Sequence, residues 1–158
     1  MSLDLKQFEG DSAWRSEQFA DTSWINELTQ DQKNELADCA RSLPEKESRW
    51  LSMTRADLDL PTLGPLLDAV NSELDTGRGF AVLRGIDLLP TDVDYAYRVN
   101  WILALGLGDV IAQNANGEVI GAVQAVVDAD DNGLHARGYV SNAELRFHCD
   151  GGDVASLL

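Results

Sequence analysis

The chain of 158 residues sets 12 Lys+Arg against 27 Asp+Glu, a formal net charge of −15, and 44% of its residues are hydrophobic. The apolar share suits a folded core and the length suits one domain, while the acidity excludes a nucleic-acid backbone binder, whose affinity comes from Lys and Arg displacing counterions. An anionic membrane surface is disfavoured for the same reason, no run reaches the roughly 18 apolar residues of a spanning helix, the start Met1–Asp11 is no secretory signal, and Cys39 and Cys149 are too few for a disulfide framework, so the chain reads as soluble, reduced and cytoplasmic.

Residues 1–28 scatter Phe8, Trp14, Phe19 and Trp24 among polar residues with no sustained period, which predicts an arm that packs through its tryptophans. The remainder, 29–158, reads as one domain. Thr29-Gln30-Asp31-Gln32 has the pattern of a capping box, and Leu36, Ala40 and Leu43 follow at helical spacing up to Pro44. Arg49-Trp50-Leu51 reads as a docked turn. A second helix over Thr62–Thr76 should bury Leu63, Leu66, Leu67, Val70 and Leu74 and expose Asp68, Asn71 and Asp75, with Gly77 as its left-handed stop.

Gly79–Gly85 is a short apolar run between glycines and predicts a buried strand. A third helix is predicted from a Thr91 cap to about Leu105, leaving at Gly106. Asn116-Gly117 marks a hairpin turn before a β-rich run, Val119–Val127. Residues 128–142 are polar and punctuated by glycine, as in a loop, and two further strands are expected at Glu144–Asp150 and Val154–Leu158. Helices first and strands after point to α+β. The chain stops inside the apolar run Val154–Leu158; such an open edge predicts a truncated domain and favours self-association into a homo-oligomer.

The strongest chemical constellation is Phe147-His148-Cys149-Asp150-Gly151. In an extended chain residues i and i+2 share a face, so the His148 imidazole and Asp150 carboxylate can converge while Cys149 points away. Together they form two-thirds of the 2-His-1-carboxylate triad of non-haem Fe(II) oxygenases. On spacing alone a surface His–Asp hydrogen bond is the plainer reading, because His-x-Asp recurs by chance.

A wider set of motifs resembles the taurine/2,4-D dioxygenase-like family of Fe(II)- and 2-oxoglutarate-dependent dioxygenases. They are Gly77-Arg78-Gly79-Phe80-Ala81-Val82-Leu83-Arg84-Gly85, then Leu105-Gly106-Leu107-Gly108, then Gln113 to Gly117, then Arg137–Asp150 leading into the His-x-Asp motif, and Asp153–Leu158 after it. Cys149 stands where the family usually has Thr. The resemblance covers about residues 29–158 and implies the N-terminal portion of a double-stranded β-helix (jelly roll), with helices packed on its opening strands. It further implies that His148 and Asp150 bind Fe(II), with 2-oxoglutarate as cosubstrate, O2 as oxidant, and a small molecule that is hydroxylated or oxidatively cleaved. The family's distal His and its 2-oxoglutarate-binding Arg have no counterpart before Leu158, so the 158-residue chain by itself is expected to be inactive. The alternative is a non-catalytic fragment or binding module of the same fold.

Other patterns are weaker. His135, the other of the two histidines, lies in the polar loop and reads as solvated. Asp128-Ala129-Asp130-Asp131-Asn132-Gly133 fits the start of a calcium loop, but position twelve is Tyr139 instead of Glu, so a lid or acidic hairpin is the simpler reading. Gly106-Leu107-Gly108 lacks the third glycine of a dinucleotide loop, and adjacent His148 and Cys149 face opposite ways, against a thiol nucleophile. Trp50 and Trp101 read as core or interface aromatics.

Overall fold

In a computed structural model, residues 9–45, 47–89, 91–113, 117–123, 148 and 150–158 can be described. The Thr29 hydroxyl accepts from the Gln32 amide at 3.3 Å, and the Gln32 side chain accepts in return from the Thr29 amide at 2.9 Å. This capping box starts α1, Gln30–Ser42, which buries Leu36 and Ala40, with Leu43 buried just past its end. Helix α2, Leu63–Asp75, buries Leu63, Leu67 and Val70, leaves Leu66 and Leu74 half-buried, and exposes Asp68 and Asp75, as its stripe predicts; Asn71 is half-buried.

The start of α2 is capped from another helix. The Thr62 side chain makes no cap bond. Instead the Glu35 carboxylate on α1 accepts from the Thr62 amide at 2.9 Å, the Thr62 hydroxyl at 2.6 Å and the Leu63 amide at 2.8 Å. These are orphan donors of a helix N-terminus, where a negative charge also opposes the helix dipole.

Three terminus assignments differ from those read in the sequence. Gly77 is not the left-handed residue after α2; that is Gly79, at φ +80, whose amide closes onto the Glu73 carbonyl at 3.1 Å. Gly77 is needed for space, since a Cβ there would lie 2.7 Å from Cδ of Glu73. The third helix, α3, spans Val93–Leu107 and is capped by Asp92, whose carboxylate accepts from the Tyr95 amide, not by Thr91. Gly106 does not end α3 but lies buried within it, where a Cβ would overlap Cδ1 of Leu67 on α2. A stop glycine and a close-packing glycine look alike in sequence; only the neighbouring helix distinguishes them.

Helix α3 packs on both α1 and α2 and supplies buried Val99, Trp101, Ile102, Leu103 and Leu105. The Trp50 and Trp101 rings lie 5.9 Å apart, and the Arg98 guanidinium sits over Trp50 while donating to the Leu43 carbonyl at 2.9 Å and the Ala40 carbonyl at 3.3 Å. Trp50 is thus core, within a 3₁₀ turn at Glu47–Ser52, and its indole N–H donates to the Pro44 carbonyl; that of Trp101 finds no acceptor among the described residues.

The sheet joins β1, Ile25–Glu27, to β2, Val82–Arg84, in parallel, with Asn26 opposite Leu83. The arm therefore ends in a strand that its sequence does not announce. Its aromatics pack as expected: Trp14, Phe19 and Trp24 each meet Phe80 edge to face, at centroid distances of 5.3, 5.4 and 5.8 Å. Strand β2 is shorter than the predicted Gly79–Gly85 run and only half-buried.

Two compact units divide the chain, Met1–Asp109 with Ser156–Leu158, and Val110–Ala155. In the second, Gly117 takes φ +81 and the Gln113 amide donates to the Glu118 carbonyl; Asn116, the other half of the predicted hairpin turn, lies outside the described residues. Residues 119–123, 148 and 150–158 carry no strand, contrary to the runs predicted there. β-propensity favours an extended backbone, but a strand exists only once a partner closes the hydrogen-bonded ladder. Residues 124–147 and Cys149, with the remainder of those predicted strands, lie outside the described residues. No described helix is long and apolar enough to cross a membrane.

Candidate functional site

His148 and Asp150 each lie in neither helix nor strand, and a bend at Gly151–Asp153 follows Asp150. The two side chains converge, with Nε2 of His148 3.5 Å from Oδ1 of Asp150. Both are open to solvent, 50% and 61% exposed.

The donor set fits a small divalent cation. An imidazole nitrogen and a carboxylate oxygen 3.5 Å apart can both reach one ion at bond lengths of about 2.1 Å, and the oxygen brings negative charge. The pair supplies two ligands. Among the described residues no group of three or more His, Cys, Asp or Glu side chains is arranged to hold a metal. His135, Cys149, the Asp128–Gly133 loop and Tyr139 lie outside the described residues.

Downstream of the pair, at Ser156, the chain meets α3, where the Ser156 hydroxyl donates to the Asn100 side-chain carbonyl at 3.1 Å. No motif in the sequence singles out Asn100. The signal is a contact between positions 56 residues apart.

A second concavity, of about 450 Å³, lies between α1 and the 53–61 segment, with Cys39, Met53, Leu58 and Pro61 among its walls and Glu35, Asp38, Asp57 and Asp59 on its rim. Its carboxylates are largely committed. Glu35 caps α2, Asp38 pairs with exposed Arg41 at 2.7 Å, and Asp57 accepts from the Thr54 amide and hydroxyl at 2.7 and 2.9 Å. Burial pushes the Cys39 thiol pKa up, and the charges of Glu35 and Asp59 push it further. A thiol held protonated in this way is a poor nucleophile.

No family model matches the chain. It is 29% identical over 154 residues to FR-33289 synthase of Streptomyces rubellomurinus, an alignment that takes in 97% of this chain and 45% of that protein. The chain therefore spans less than half the length of this curated relative, and along nearly all of its own length it is similar to part of an enzyme.

Proposed function

We propose that this chain carries the N-terminal part of an Fe(II)- and 2-oxoglutarate-dependent dioxygenase of the taurine/2,4-D dioxygenase-like type, acting on a small molecule. The observation that carries this reading is the convergence of His148 and Asp150 at 3.5 Å, and the similarity to a synthase supports it. On this reading the three helices brace the opening strand pair of a jelly roll.

When bound, Fe(II) with 2-oxoglutarate and O2 supplies the oxidising power, oxidative decarboxylation to succinate and CO2 being coupled to hydroxylation or cleavage of the substrate. The chain's own part is narrower. His148 offers a nitrogen lone pair, which requires the neutral imidazole, and Asp150 offers a charged oxygen that offsets part of the cation's charge. Their solvent exposure leaves room for a third protein ligand and for cosubstrate. The resemblance places that ligand, a His, and an Arg for the distal carboxylate of 2-oxoglutarate further along the polypeptide.

A binding module without catalysis is the second reading, favoured by the presence of two ligands where three are needed, among the described residues. Succinate formation from 2-oxoglutarate under air, with Fe(II) and ascorbate, separates the two. The 158-residue chain should form none. A version extended through a downstream His and Arg should turn over, and His148→Ala should abolish that turnover. An extended version that binds Fe(II) but forms no succinate would establish the module instead.

A further inference from the structure

We propose that residues 10–24 form a strap, latched on Phe80, that opens as a unit while the helical core stays folded. Between Gly10 and Trp24 the chain is bonded chiefly to itself. The Ala13 amide donates to the Gly10 carbonyl, the Gln18 amide to the Arg15 carbonyl, and the Trp24 indole N–H to the Asp21 carbonyl. Among the described residues one hydrogen bond ties this stretch to the chain beyond β1, from the Trp14 indole N–H to the Arg78 carbonyl at 3.0 Å. Phe19 and Trp24 are half-buried, and every other residue of the stretch is exposed.

The ring contacts gather at one point. Trp14, Phe19 and Trp24 each meet Phe80 edge to face, and Phe19 also meets Trp14 at 5.1 Å and Trp24 at 5.7 Å. Trp24 immediately precedes β1 and Phe80 stands two residues before β2, so the latch sits at the amino end of the parallel pair, ahead of Ile25 and Val82. Beyond the pair, the Leu28 amide donates to the Arg84 carbonyl at 2.9 Å, and Leu28 is buried. Opening the stretch as far as Trp24 therefore breaks no hydrogen bond of the ladder and lifts no fully buried residue. Its cost is that of the rings and one indole bond, and segments held so lightly open well below the free energy of global unfolding. Opening bares the Phe80 ring and the start of β2, and the strap thereby governs whether that aromatic surface faces solvent.

The test is hydrogen exchange of the indole N–H protons, followed by NMR, with the Trp14 signal identified by its loss in Trp14→Phe. The Trp50 indole, bonded to the Pro44 carbonyl in the core, reports global unfolding. In the parent, Trp14 should exchange faster than Trp50. Phe80→Ala removes the hub of the ring cluster and should speed Trp14 exchange about tenfold or more, with Trp50 unchanged. Phe19→Ala, a change within the strap itself, removes the ring that touches Trp14, Trp24 and Phe80 and should do the same. Trp14 exchanging no faster than Trp50 in the parent would overturn the separate opening, and a Trp14 rate that Phe80→Ala leaves unmoved would overturn the latch. If Phe80→Ala speeds both indoles it has loosened the whole fold, and Phe19→Ala decides alone: Trp14 faster with Trp50 unmoved upholds the strap, and any other result overturns it.

Discussion

The contact between Leu67 and Gly106 allows the α2–α3 interface to be tested by a pair of substitutions whose effects should not add. Leu67 is 0% exposed. Leu67→Ala deletes three carbons at about 0.8 kcal/mol each, and the cavity left in so enclosed a place brings the cost to about 3–4 kcal/mol. Gly106→Ala alone gains about 1 kcal/mol of helix propensity but forces a methyl into Cδ1 of Leu67, which costs about 1–3 kcal/mol, for a net effect between neutral and about 2 kcal/mol destabilising. In the Leu67→Ala background the obstruction is gone. There the new methyl fills vacated space, and Gly106→Ala should restore about 1–2 kcal/mol, for a coupling of about 1–4 kcal/mol between the sites. Urea unfolding followed by the fluorescence of Trp50 and Trp101, both buried in this core, measures all four species. Additivity within about 0.5 kcal/mol would refute the packing argument, as would a Leu67→Ala cost of the same small size.

Removing the inter-helix cap by Glu35→Ala should destabilise the fold by about 1–3 kcal/mol in thermal or urea unfolding, and Glu35→Gln, which keeps an acceptor oxygen but loses the charge, should fall between; equal costs would deny the charge any part. The Arg78 side chain and backbone amide, hydrogen-bonded to Glu73, hold that carboxyl below the ordinary carboxylate range. A depressed folded-state pKa adds stability that is present above the unfolded pKa and is lost as pH falls through the folded one. The melting temperature of the parent should therefore drop more steeply than that of Glu73→Gln below about pH 4.5, and parallel acid limbs would contradict the pairing.

What was legible in the sequence was what local chemistry decides. The Thr29–Gln32 box needs only four neighbouring residues, and the Leu63, Leu67 and Val70 stripe needs only the helical period. Strand β1 could not be read because three residues, Ile25–Glu27, hold no pattern of their own and become a strand through Val82–Arg84, more than fifty positions on. The Glu35 cap was hidden for the same reason: nothing near Glu35 in sequence shows that the amides of Thr62 and Leu63 lie against it. The convergence of His148 and Asp150 was legible because the two stand two positions apart, whereas the Asn100 contact with Ser156 joins positions 56 apart.

The charge of −15 invites a search for a cation site wherever acids gather, and the structure shows why that search misleads here. Asp21 accepts from the Ser23 amide, Asp57 from the Thr54 amide, Glu73 from the Arg78 amide, and Asp92 from the Tyr95 amide, while Glu35 caps α2. Each satisfies a backbone donor at a turn or helix end that would otherwise depend on water. These carboxylates are consumed by the local architecture, and two of the four acids at the Cys39 concavity, Glu35 and Asp57, belong to the same class. Asp150 differs in kind. It lies against an imidazole nitrogen, a group that can itself ligate a metal, and both side chains are open to solvent. On the function proposed above, it is the type of partner, more than the density of charge, that marks Asp150 out from the carboxylates that hold the chain in place.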